Sequence, residues 1–286
     1  MVLRTFAMFG IVALVLTLGC KPGADSPAPA PITPAFPTAA PADPQAMFDQ
    51  WKDLVTHPEK IGGGVKHGQL AWELTEREPK YADKMIDMLV DPATTPESRF
   101  LILNSIEVAR IPSTYPRLLD LTKPEVDPGL RTAVVIMFKN ISDPTVDARL
   151  RELTNDPERR VRLAALLVLS GRGDTEMRSA LHEYYFTDGL PPEHRSQIVQ
   201  SLALTPGPGD VKVLGAAVND ATLAEGPRLL SIATLAQIGE PTAIPQLQQC
   251  ADADNSPTLK EAAANAIKAL TGKLGAGAAS APPSGP

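Results

Sequence analysis

Four histidines, two cysteines and three arginines within four positions are the side chains here with the most chemistry to offer. The arginines are Arg159, Arg160 and Arg162. They follow Asp156-Pro157-Glu158 and run into an almost unbroken apolar stretch from Leu163 to Leu169. A basic cluster against an apolar wall suits either an anionic ligand or one unit of a repeating framework. The histidines are His57, His67, His182 and His194, and no two stand four apart. A zinc-hydrolase helix needs His-Glu-x-x-His, so that two imidazoles share one face; His182 opens His-Glu-Tyr-Tyr instead. No serine sits in Gly-x-Ser-x-Gly, the turn that presents a nucleophile. Gly62–Gly64 with Lys66 lacks the spacing of a phosphate-cradling loop. These patterns assign no catalytic residue, no metal site and no cofactor.

The basic cluster changes meaning when the chain is laid against itself. A basic residue opening a helical apolar pattern recurs at Lys66, Arg99, Arg131, Arg162, Arg195, Arg228 and Lys260, at intervals of 33, 32, 31, 33, 33 and 32. Three places further on stand Ile102, Val134, Ala165, Ile198 and Ala263. Seven places on stand Ile106, Phe138, Leu169, Leu202, Leu235 and Ile267. Offsets of three, four and seven lie on one helix face. The first unit departs, with Glu73 at offset seven between Trp72 and Leu74, as a capping unit should.

Helix starts repeat as well. Asp127-Pro128, Asp156-Pro157 and Ser256-Pro257 place an N-cap side chain before a first-turn proline, and Asp143-Pro144 does so for a helix lying between two basic ones. Each period therefore holds two helices. An outer set begins near Gln45, Glu78, Ser113, Asp143, Asp174, Gly209 and Pro241, and the basic-residue set follows each. The expected architecture is all-α: seven helical hairpins stacked as an α-solenoid over residues 46–272. Aromatics at 5% and plentiful Leu and Ala agree with helix-on-helix packing. A net charge of −6 argues against nucleic acid, whose binders carry a basic surplus.

Two helices in about 32 residues, with a turn Asp and a Val-Arg six residues later, resemble the HEAT repeat in its short bacterial form, also found in phycobilin lyase-type proteins. DPERRVRLAALLVLSGRGD and NSPTLKEAAANAIKALTG carry the resemblance. It implies that the basic residues form a structural ladder with turn aspartates, within and between units. Asp156 with Arg162 and Asp254 with Lys260 match that spacing; Asp127, Asp188 and Asp220 sit close to it. The resemblance also places the basic-residue helices on the concave side. Ala133–Phe138 and Leu163–Leu169 are apolar on most sides, which fits burial in mid-stack or a greasy groove for a partner segment. Phe100, Asn104, Ile136, Leu167 and Gln200 face away from the core stripe and are the candidate partner-binding residues.

The ends read differently. Residues 1–19 have a positive Arg4 and an apolar run from Phe6 to Leu18, the pattern of a secretory signal. Leu16-Thr17-Leu18-Gly19-Cys20 resembles the bacterial lipobox, which implies cleavage before Cys20 and lipid on its thiol. The absence of Asp after that cysteine, where Lys21 stands, favours the outer over the inner membrane. The Pro- and Ala-rich stretch completing residues 20–45 reads as an extended tether, reaching roughly 75 Å at ~3.1 Å per residue. Residues 273–286 are Gly/Ala/Ser/Pro-rich and read as a disordered tail. Cys250 falls on an apolar helix face as a small buried thiol.

The leading expectation is a non-enzymatic scaffold, lipid-anchored at the bacterial cell envelope and facing periplasm or surface, that docks a protein or peptide. A structural spacer is the second reading. A bilin lyase or isomerase is the third, by resemblance to the same repeat class.

Overall fold

The computed structural model describes residues 43–60 and 66–279, with side chains through 272. The signal, Cys20, most of the tether and Gly62–Gly64 lie outside the described residues. Within them stand fourteen α-helices in seven consecutive pairs. The pairs are α1 (Pro44–Thr56) with α2 (Lys66–Arg77), α3 (Lys80–Val90) with α4 (Pro96–Ala109), and α5 (Tyr115–Asp120) with α6 (Pro128–Met137). Then come α7 (Pro144–Leu153) with α8 (Arg159–Gly171), and α9 (Thr175–Tyr185) with α10 (Pro192–Leu204). The last are α11 (Val211–Val218) with α12 (Glu225–Ile238), and α13 (Ile244–Ala253) with α14 (Pro257–Ala279). Each even-numbered helix packs on the next even-numbered one, forming an inner row; the odd-numbered helices form an outer row. The body is an all-α solenoid. Helix α14 continues past the expected end at 272, because Lys273 and Leu274 are good helix formers and the glycines that follow are interleaved with alanine.

Helix starts sit where the cap residues place them. Asp127 Oδ1 accepts from Leu130 N at 3.0 Å, and Asp143 Oδ1 accepts from Thr145 N and Val146 N. Thr95 and Ser256 cap α4 and α14 through their hydroxyls, at 3.2 Å each. Pro44, Pro96, Pro128, Pro144 and Pro192 occupy first turns, where the missing N–H costs nothing.

The periodic apolar positions are the core, except that Ile267 in the last helix is half-buried. Ile102, Val134, Ala165, Ile198 and Ala263 are fully buried, as are Ile106, Phe138, Leu202 and Leu235. Helix α8 is buried on nearly every side and joins two clusters. Val161, Ala164, Ala165, Val168 and Leu169 pack toward the N-terminal units, while Leu163 and Leu166 pack toward the C-terminal ones.

The first unit closes its end with aromatics. Phe48 stacks on Trp51 at 5.6 Å and meets Tyr81 at 5.1 Å. Trp51 Nε1 donates to Ser105 Oγ at 3.1 Å, and His67 Nδ1 lies 3.0 Å from the same oxygen. Ser105 donates onward to Leu101 O, so it accepts from both rings, which puts the His67 proton on Nδ1. Burial pushes His67 below its ordinary pKa and keeps it neutral. Helices α2 and α4 approach closely at Gly68, where a Cβ would stand 2.7 Å from Val108 Cγ1.

Gly68→Ala should therefore force α2 and α4 apart and cost ~1–3 kcal/mol, despite the better helix propensity of alanine. Chemical denaturation checks this; an unchanged or raised midpoint would show that the helices tolerate the extra methyl.

Candidate partner-binding face and its supporting ladder

The basic residues of the inner row reach across their own hairpin to the end of the preceding outer helix. Arg99 Nη2 donates to Asp91 O at 3.1 Å, Arg131 Nε to Thr122 O at 3.3 Å, and Arg162 Nη1 to Asp156 O at 2.8 Å. Arg228 Nε donates to Val218 O at 2.8 Å and Lys260 Nζ to Asp252 O at 3.4 Å. These carbonyls lie at or near outer-helix C-termini, where backbone acceptors are unpaired and the helix dipole attracts a cation. Lys66 stands exposed at the start of α2.

The carboxylates pair differently from the expected pattern. Asp156 takes Arg131 and Asp254 takes Arg228, each arginine coming from the preceding unit, rather than Arg162 and Lys260 of their own. Asp220 joins the ladder through Arg195 at 3.0 Å. The reason is local. One oxygen of each aspartate accepts from the backbone two residues on: Glu158 N at 2.8 Å, Thr222 N at 2.9 Å and Ser256 N at 2.8 Å. That turn fixes the side chain and aims the second oxygen at the neighbouring unit. Asp127 is instead the α6 N-cap, and Asp188 is exposed, outside the ladder.

A second buried acid escaped the sequence reading. Asp210, fully buried, accepts from Arg178 Nε at 3.0 Å and Nη2 at 2.5 Å, His182 Nε2 at 2.7 Å and Gly207 N at 2.7 Å. Burial pushes its carboxyl up, but the His182, Arg178 and Gly207 donors more than offset this and hold it below the usual range. Asp220 is likewise net lowered: burial raises it, and donation from Thr222 and Arg195 prevails. The i,i+4 spacing of Arg178 and His182 was readable; their acid, in the next unit, was not.

Above the ladder, the inner row leaves one face uncovered. Phe100 is 62% exposed, Ile136 45%, and Gln200 is exposed, while Asn104 and Leu167 are half-buried. Leu167 is held down because α8 is packed from both sides. Burial thus takes most of the Ala133–Phe138 and Leu163–Leu169 stretches, and the groove reading keeps only their outward positions. Two residues of this face were missed: Val108 at 45% and Leu204 at 79% exposure. Both stand nine places past the ladder base, one turn beyond Asn104 and Gln200, so the same spacing would have found them. Among the described residues no group of three or more His, Cys, Asp or Glu is placed to hold a metal. A surface depression lined by Leu119, Lys123 and Arg149 is open rather than enclosed.

Residues 185–268 match a protein family described as HEAT repeats. No curated protein matches the chain. Among solved structures the chain aligns with human deoxyhypusine hydroxylase in complex with glycerol, at 17% identity over 80% of this chain and 97% of that one (TM-score 0.36). It aligns with the YibA protein of Escherichia coli at 14% identity over 82% and 99% (TM-score 0.41). It aligns with the complex of CpcE and CpcF of phycocyanin lyase from Nostoc sp. PCC7120 at 16% identity over 86% and 99% (TM-score 0.39).

Arg131 and Asp156 are both almost fully buried, so Arg131→Ala strands a charge and should cost ~3–5 kcal/mol. Arg162 donates to a carbonyl from a half-buried position, and Arg162→Ala should cost only about 1 kcal/mol. Denaturation midpoints of the two variants separate them; equal losses would refute the cross-unit pairing. Because Asp210 and Asp220 titrate below their unfolded values, their contribution is present above about pH 4 and is lost as pH falls further. Stability should drop on acidification through that window, and Asp210→Asn should flatten the drop while lowering stability at neutral pH.

Proposed function

We propose that this α-solenoid, part of which matches HEAT repeats, is a scaffold of the bacterial cell envelope. Lipid on Cys20 holds it to a membrane, more readily the outer one. The Pro/Ala-rich stretch carries the body away from the bilayer, and the inner row docks a protein or peptide partner without a catalytic step of its own.

The observation that carries this reading is the register of the exposed apolar side chains. Isolated exposed hydrophobics are ordinary on any protein surface. Here Phe100, Val108, Ile136 and Leu204 occur at one, five and nine places past the ladder base on three inner helices, so they share one face. Asn104 and Gln200 stand on the same helices at offset five and bring hydrogen-bonding capacity without charge. Apolar contacts interleaved with amides suit a peptide or helix, whose backbone needs partners and whose side chains need pockets. The ladder arginines offer little to a ligand, since their guanidinium groups are engaged with carbonyls and aspartates.

The double substitution Phe100→Glu with Leu204→Glu should abolish the cross-link to the partner in native envelopes. Both side chains are exposed, so stability should stay within about 0.5 kcal/mol. An undiminished cross-link would sink the docking face. Cys20→Ser should move the protein from the membrane to the soluble fraction, and retention of that variant in the membrane would overturn the anchor.

A further inference from the structure

Each inner helix packs on the next, so residues at equal distance from the ladder base form rows that run across the helices. Five places past the base the row reads Asn104, Ile136, Leu167, Gln200, Ala233 and Asn265, on α4, α6, α8, α10, α12 and α14. Each of these side chains is exposed or half-buried, whereas Ala71 at the same place on α2 is buried. The row therefore opens at the second unit and continues to the last. Rows at one and nine places past the base lie one helical turn to either side of it.

Charge is what these rows lack. Three rows on six helices make eighteen positions, and Glu261 in the last helix carries the one charge among them. Charged residues are 21% of the chain, so composition alone would place about four there, and a surface open to water more. Of the eighteen, Leu163 is the one that is buried, so packing does not account for the absence. Beside these rows Glu107 and Lys139 neutralise each other, with Lys139 Nζ 3.6 Å from Glu107 Oε1, and that oxygen also accepts from Asn140 Nδ2.

Helices packed side by side stand ~8–10 Å apart, and an extended chain advances ~3.3 Å per residue. A segment laid along the central row thus meets a new helix about every third residue, and the crossing from α4 to α14 takes about 15 residues. An α-helix on the same path would keep its backbone N–H and C=O groups bonded within itself. An extended segment leaves them open, and an amide side chain carries both a donor and an acceptor to meet them. Asn104, Gln200 and Asn265 supply such amides, and among the described residues no hydrogen bond occupies these three side chains. Between Asn104 and Gln200, Ile136 and Leu167 offer apolar contacts on adjacent helices.

Resting on the reading of the inner row as a docking face, we infer that its occupant is an extended, uncharged polypeptide segment of about 15 residues that crosses the inner helices from α4 to α14. Its backbone pairs with Asn104, Gln200 and Asn265, and apolar side chains about three residues apart rest on Ile136 and Leu167. An uncharged face offers a charged side chain nothing to offset its lost hydration, so the rows select against charge at the contacting positions. Attraction comes from apolar burial and main-chain hydrogen bonds, which salt does not screen.

Selection of displayed random peptides of about 15 residues on the purified full chain carrying Cys20→Ser tests this. Enriched peptides should lack charge at contacts about three residues apart. Synthetic copies should bind with affinities that change less than about twofold between ~0.05 and ~0.5 M NaCl. Gln200→Ala and Asn265→Ala should each weaken them about fivefold. Methylating the peptide nitrogens one at a time should find a position with the same loss, and that loss should vanish in the Gln200→Ala chain. Both residues are exposed, so these variants keep the fold. Enriched peptides that bind as helices by circular dichroism, that carry charge and weaken with salt, or that ignore both amide substitutions would overturn the extended segment. Peptides that bind the Phe100→Glu, Leu204→Glu chain undiminished, or no enrichment at all, would instead overturn the docking face itself.

Discussion

A carboxylate has two oxygens, and the turn aspartates of this fold spend them on two different units. One oxygen closes the aspartate's own turn; the other receives an arginine from the unit before. The turn is local, spanning two residues, and it holds the second oxygen toward the neighbouring unit. Burying Arg131 and Asp156 carries a desolvation cost that only paired geometry offsets. A slipped unit would leave both charges buried and unpaired. The ladder thus contributes register more than raw stability, and the apolar faces supply the attraction that register directs.

Most of the architecture was legible because a solenoid repeats its own evidence. Seven copies of a basic residue, with apolar positions three and seven places on, fix the helix count, the faces and the starts, and the observed helices agree. What stayed hidden is whatever depends on neighbouring units. Asp156 lies six residues from Arg162 and 25 from Arg131, and sequence spacing favours the nearer partner. The nearer one fails because Arg162 finds the carbonyl of Asp156 first. Asp210 was illegible for the same reason: its donors Arg178 and His182 belong to another unit. The first unit shows no arginine–aspartate rung among the described residues; the Trp51–His67–Ser105 network and a close approach at Gly68 join it to the second, features without a periodic signature.

The uncovered face follows from the same geometry. A helix packed by its neighbours on two sides and by its outer partner on a third has one stripe left. On α4, α6 and α10 that stripe falls one, five and nine places past the ladder base, while the same offsets are covered on α2 and, at Leu163, on α8. Its composition is therefore free of packing constraints and free to be charged. At its exposed positions Phe100, Ile136, Gln200, Leu204 and Asn265 are apolar or amide, with Glu261 the one acid among them, which solubility alone would not favour.

Outer and inner edges then impose different conditions on that stripe. The outer edge carries a hydrogen bond across each junction, from Tyr81–Gln45 to Asn219–Gln246. Among the described residues the inner edge carries arginine–aspartate rungs at α6/α8, α10/α12 and α12/α14, whereas at α8/α10 Arg159 Nη1 donates to Gly189 O at 2.9 Å. The missing rung at α8/α10 is not a simple loss of residues, since Arg162 and Asp188 are both present; the arginine is diverted to Tyr184 and the acid to solvent. A diverted pair leaves both charges able to meet water and removes the desolvation term that locks Arg131 to Asp156. Where one guanidinium points therefore decides which junction carries an arginine–aspartate pair and which is tied through a backbone carbonyl instead.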